Sequence, residues 1–247
     1  MMRKRDLGFA TVAVLVAWQL LALLINRPVF PPPLQVLGTL FQHLPRDLGR
    51  HLLVSAWRVV ASIVVASATA VPAGLALGLS PKADRLAAPI LYLLYPIPKI
   101  VFLPVILLLL GIGDVSKVFM IGMVLFFQIL LVVRDEAAGL RPELIASVRS
   151  LGAGRRALFR YVYLPACLPG VLTAIRVSIG IAIAVLFFAE SFATSSGLGY
   201  YIIVDTWGRL SYGEMYAGVV ALSLLGLALY LVVDRLQARL CPWLSIG

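Results

Sequence analysis

Six stretches of this chain are apolar and nearly free of charge: residues 9–25, 52–79, 86–110, 118–133, 168–189 and 214–233. Each has roughly the 20 residues that a 30 Å hydrocarbon layer requires, so the pattern predicts six transmembrane helices and an all-α membrane fold. The third stretch is broken by Pro89, Pro96, Pro98 and Pro104, and neighbouring groups must satisfy the carbonyls that those prolines leave free. Short polar turns follow the second and third stretches at 80–85 and 111–117, and a longer polar segment, 190–213, follows the fifth. The first stretch opens like a signal peptide, but no small-residue cleavage site follows it, so an uncleaved first span is expected. After the proline run 31–33, Val36, Leu37, Leu40, Phe41 and Leu44 fall on one helical face. They predict a short helix, either lying on the outer membrane surface or packed in an external loop.

The longest polar segment, 134–165, is patterned rather than slack. Leu144, Ile145, Val148 and Leu151 recur at helical spacing after Pro142, a residue suited to a first helical turn. Gly152 and Gly154 then interrupt the helix, and Leu158, Phe159 and Val162 mark a second short amphipathic piece. Two short helices hinged at a glycine, presented at the membrane face, predict a docking surface for another protein.

Composition agrees with a polytopic membrane protein. The chain is 62% hydrophobic and 13% charged, with a mean hydropathy of +1.01. Soluble domains carry about 45–50% apolar and about 25% charged residues. A net charge of +10 raises the question of nucleic acid, but the positive residues sit in short loops between spans, as topology signals do. With the N-terminus inside, thirteen Lys/Arg fall in cytoplasmic segments and five (Arg27, Arg46, Arg50, Lys117, Arg209) in outer ones. That excess predicts a cytoplasmic docking segment, with both termini on the same side. Cys167 and Cys241 show no metal spacing and are expected as reduced thiols.

No phosphate-binding glycine loop, H-E-x-x-H, CxxC or G-x-S-x-G motif occurs, so an enzyme reading has nothing to stand on and no cofactor or metal is expected in this chain. What remains is ionisable and polar groups at membrane depth, which are costly and point to function. Lys99, beside Pro96 and Pro98, is either a partner for an anionic solute or a helix-end lysine reaching an interface. Glu190, with Ser195 close by, either lines the outer mouth or pairs internally. Gln128 faces the pathway or a neighbouring helix. Arg58 and Arg176 are expected in structural roles, and the small residues Gly170, Ala174, Ser178, Gly180, Ala182 and Ala184 suit a closely packed core helix at a subunit interface.

The stretch SLGAGRRALFRYVYLPACLPGVLTAIR resembles the EAA loop of bacterial ABC-importer permeases, most closely those for nitrate, sulfonate, taurine and related small molecules. The likeness runs from about residue 55 to 243 and includes YPIPKIVFLPVILLLLGIGDVSK, AESFATSSGLGY and a terminal PW. It implies a type I importer permease with an N-terminal span and external segment at 1–53 and a permease core at 54–247. The implied partners are a second copy of the permease, two cytoplasmic ATPases that bind ATP and magnesium, and an extracytoplasmic solute-binding protein, all at a bacterial inner membrane in contact with lipid and without nucleic acid. The implied solute is a small anion or a vitamin precursor. An ion-coupled transporter or channel acting alone is the rival reading, and it leaves the hinged helix pair unexplained.

The resemblance sets the register of the loop. The letters EAA stand at Glu136, Ala137 and Ala138, but the family's glutamate lies six residues before the glycine, which here is Ala146. Gly152, Leu164 and Pro165 match; Glu143, one turn earlier than Ala146, is the candidate replacement for the missing carboxylate. The implied ATPase contact is Glu143, Leu144, Ala146, Ser147, Arg149, Leu151, Gly152, Ala153 and Pro165, and the candidate pathway is Lys99, Gln128, Glu190 and Ser195.

Overall fold

The computed structural model describes residues 4–245, which are helical with short connections and contain no strand. In chain order the helices are α1 Lys4–Ile25, α2 Pro33–His43, α3 Asp47–Gly78, α4 Pro81–Leu94, α5 Leu103–Leu110, α6 Asp114–Ala138, α7 Pro142–Ser150, α8 Arg155–Leu158, α9 Leu164–Ser191, α10 Leu198–Tyr200 and α11 Tyr212–Leu240. Arg3, counted above with the cytoplasmic charges, lies outside the described residues.

Two units divide the chain: Met1–Ala56 with Glu190–Leu225, and Trp57–Ala189 with Gly226–Gly247. In the first, Trp18 of α1, Phe30 and Tyr216 of α11 form an aromatic cluster with ring centroids 5.6–6.5 Å apart, and Trp18 Nε1 donates to the Pro31 carbonyl at 3.1 Å. The amphipathic helix predicted after the proline run is α2; it buries Val36 and Leu40 while Phe41 stays exposed. Its first turn accepts Pro33 because an N–H there has no helical partner to lose.

In the second unit the core is a stripe on α6, where Met120, Ile121, Leu125, Ile129 and Val133 are fully buried. Ala66, Ala70 and Gly74 of α3 are buried too, and an added Cβ at Gly74 or Gly78 would press on α6 backbone and side chains at Leu130, Val133, Arg134 and Ala137. Small residues at four-residue spacing let the two backbones approach where lipid offers no hydrophobic drive. Outward side chains are the reverse: Leu108 is 86% exposed and Leu109 77%. Apolar surface this extensive is stable only against hydrocarbon or a partner.

Among the described residues, five helices are long and apolar enough to cross a membrane, and α4 with Lys99–Leu110 forms a further pair bent by 74°. Contacts decide that this pair crosses. The start of α6 lies beside the first half of α3, where Arg58 pairs with Asp114 at 2.7 Å and Ser62 Oγ reaches the Val118 carbonyl. The end of α6 lies beside the end of α3, at Gly78. The two helices are parallel, so residues 79–113 must carry the chain from one end of the pair back to the other. The predicted third span is therefore a crossing, but a bent one, because Pro96 and Pro98 end α4 and a 3₁₀ turn, Lys99–Phe102, restarts the chain.

Three expectations change. Lys117, counted with an outer turn, lies inside α6 and is 1% exposed. Residues 134–138, assigned to the polar loop, are the last turn and a half of α6, since only Gly139 interrupts the helical run. The second short docking helix is not separate: α8 passes through a π turn, Phe159–Tyr163, into α9, giving one helix from Arg155 to Ser191. Pro165 and Pro169 do not stop it: the π turn before Pro165 takes up the irregularity, and Pro169 is carried inside α9.

Candidate functional site

The docking segment is built on the joined ends of α6 and α9. Arg134 of α6 forms a bidentate ion pair with Asp84 of α4, and its Nη2 lies 2.9 Å from Oδ2. The Glu136 side chain lies across Gly170 of α9, where any added Cβ would overlap it. From this base α7 projects with no buried residue: Glu143, Leu144, Ala146, Ser147 and Arg149 are exposed, while Ile145 and Val148 are half-buried. Leu151 ends the helix 85% exposed. The chain then turns at Gly152, φ +83°, whose N–H donates to the Arg149 carbonyl at 3.0 Å. Ala153 and Pro165 are half-buried, and Leu158 and Val162 are buried, which anchors the far side of the turn. The glycine is required because φ near +80° is costly for any residue with a Cβ.

Lys99 and Gln128 come together. They line one cleft of about 330 Å³ with Tyr95, Phe127, Ile181 and Phe188. Bending the span frees carbonyls at the end of α4, and Lys99 Nζ donates to those of Leu94, Tyr95 and Ile97 at 3.1, 3.0 and 3.2 Å. The ammonium also lies 4.5 Å from the Phe127 ring centroid. An ammonium has three donors, and all three have carbonyl partners here. Its charge remains, and it is the only charged side chain among the residues lining the cleft.

Glu190 and Ser195 belong to the other unit and to different surroundings. Ser195 is exposed. Glu190 is fully buried; its Oε2 accepts from Ser55 Oγ at 2.7 Å and from the Gly199 N–H at 3.1 Å. Ser55 Oγ in turn accepts from the Leu198 N–H at 2.7 Å, and His51 Nδ1 accepts from the Gly197 N–H at 3.0 Å. The His51 ring stacks on Tyr200. Three side chains, Glu190, Ser55 and His51, thus hold residues 197–200 against the first turns of α3. Ser55, His51 and Asp84 went unread in the sequence: their partners lie 50 to 146 residues away, and no spacing rule connects them. Arg58 and Arg176 are each in an ion pair, the latter with Asp234 at 2.7 Å.

Comparison with known proteins agrees with this architecture. The family model for binding-protein-dependent transport system inner membrane components matches residues 70–246. The taurine transport system permease protein of Escherichia coli strain K12 is 32% identical, covering 98% of this chain and 90% of that one. A putative aliphatic sulfonates transport permease protein of Bacillus subtilis strain 168 is 28% identical over 96% of this chain and 87% of its own length. A chain of the MetNI methionine ABC transporter in an inward-facing conformation shares the fold, with a TM-score of 0.66 and 21% identity over 78% of this chain and 95% of that chain. This chain belongs to the family of binding-protein-dependent transport system inner membrane components: it is the permease subunit of an ABC importer, and ATP hydrolysis belongs to a separate subunit.

Proposed function

We propose that two copies of this chain form the pathway of an importer for a small organic sulfonate or a similar anion. Two cytoplasmic ATPases bind at α7, and an extracytoplasmic binding protein delivers solute to the opposite face. The observation that carries the substrate class is the cleft at the bent third span, whose one charged lining residue is Lys99. The likeness to permeases for taurine and aliphatic sulfonates supports the same class. Closure of the ATPases pushes α7, and because α8 continues into α9 that push is passed directly to a helix lining the cleft through Ile181, Val185 and Phe188.

Uptake of labelled taurine by proteoliposomes holding permease, ATPase and binding protein tests the substrate. Lys99→Met is expected to lower uptake about tenfold or more, the effect of a charged contact worth about 1.5–3 kcal/mol, while Lys99→Arg keeps more of it. Equal uptake by Lys99→Met and wild type would reduce Lys99 to a cap on the α4 carbonyls.

The orientation rests on the excess of positive residues at the docking end. A reporter inserted near Gly154 or joined after Gly247 is expected to behave as cytoplasmic, and one near Gly38 or Gly208 as external. An external signal at Gly154 inverts the scheme.

A further inference from the structure

Between residues 139 and 163 the docking segment has five arginines and one glutamate. Arg141, Arg149, Arg155 and Arg156 are exposed, and among the described residues none of them pairs with a carboxylate. Helix stability does not account for the placement of Arg141, Arg155 and Arg156. Glu143 in the first turn of α7 and Arg149 in its last complement the helix dipole. Arg141, however, is the N-cap residue of α7, and Arg155 and Arg156 open the helix that runs to Ser191. All three stand at helix N-termini, whose partial charge is positive and disfavours a cation. Membrane topology needs positive charge in this loop, but not at those two helix starts. Beside these cations Leu144, Ser147 and Leu151 form one stripe, with the leucines 41% and 85% exposed.

We propose that this basic rim and leucine stripe dock into an acidic groove of the ATPase subunit, with guanidinium groups meeting carboxylates around an apolar floor. The proposal rests on α7 being the ATPase contact and adds the polarity of the partner surface. Exposed leucines on both sides of a serine, on a nine-residue helix with a glutamate in its first turn, offer too little apolar area to hold α7 in lipid. A protein groove fits them better. The rim cations set the rate and salt dependence of association, and the leucines set its lifetime.

The permease and its copurifying ATPase, in detergent, provide the test. The dissociation constant is expected to rise between about 50 and 300 mM NaCl, as screening shortens the reach of rim charges. The double variant Arg155→Glu, Arg156→Glu is expected to weaken association about tenfold at low salt. Ala146→Glu, which adds a carboxylate to the exposed face of α7, is expected to weaken it as well. Affinity that ignores both salt and charge reversal overturns the proposal, and so does tightening by Ala146→Glu, which would reveal a basic groove. A reversal effect seen only in phosphatidylglycerol nanodiscs, and absent in detergent, assigns the arginines to lipid headgroups and overturns it too. Failure of the wild-type chain to bind any ATPase refutes the docking reading itself, and this proposal with it.

Discussion

Gly152→Val is expected to leave the spans inserted and to abolish transport. An added Cβ at Gly152 meets nothing within 4 Å, so the damage is in the backbone and not a clash. Holding valine at φ +83° costs about 1–3 kcal/mol. Little opposes relief of that strain, because α7 has no buried residue and is held to its own chain only by half-buried Ile145 and Val148. Relaxation therefore swings α7 away from its docking position instead of unfolding the protein. Gly152→Asn is expected to retain more coupling, since asparagine tolerates the left-handed region better than valine. Glu136→Ala, which removes the carboxylate lying over Gly170, is expected to do less than valine. Pull-down of the ATPase and solute-stimulated ATP hydrolysis measure all three. If Glu136→Ala uncouples the complex and Gly152→Val does not, the literal EAA is the contact.

Gly197→Ala is expected to have the opposite signature, a large loss of stability. Its φ is +110°, and its Cβ would overlap the Glu190 carboxylate, which is fully buried. Either the backbone leaves that conformation or Glu190 moves and gives up its bonds to Ser55 and Gly199. Each buried polar group left unpaired costs about 1–3 kcal/mol, against a total stability of about 5–15 kcal/mol for a typical domain. Ser55→Ala, which orphans the Leu198 N–H, is expected to fall between Gly197→Ala and wild type. Thermal unfolding in detergent separates the three. A Gly197→Ala protein as stable as wild type would mean that the carboxylate does not hold residues 197–200. By the same measure Gly152→Ala is expected to unfold near the wild-type temperature, because its loss is one of coupling.

The docking segment was legible because its signals are local. Pro142 at a helix start, the period of Leu144, Ile145, Val148 and Leu151, and a glycine at the turn all act within a few residues. Its far side was misread for the same reason. Pro165 looks like a stop, yet the helix from Arg155 runs through a π turn to Ser191, because buried Leu158, Val162 and Cys167 hold it in place. Proline content marked the third span as irregular, but not what happens there. Whether Lys99 meets a solute or caps carbonyls depends on where Leu94, Tyr95 and Ile97 point after the bend.

The chain by itself determined the solvent: runs of about 20 apolar residues need hydrocarbon, and the excess of positive loops predicts an orientation. It also determined the family, through short motifs in fixed order. The tertiary structure decided which polar groups are satisfied by protein. Glu190 is a buried anchor bonded to Ser55 and Gly199, and Lys117 a buried residue and not a loop charge. It also decided that residues 79–113 cross the membrane, since only the parallel contacts of α3 and α6 show that the chain must return. Those facts depend on pairings dozens of residues apart, and hydropathy and periodicity measure only neighbours along the chain.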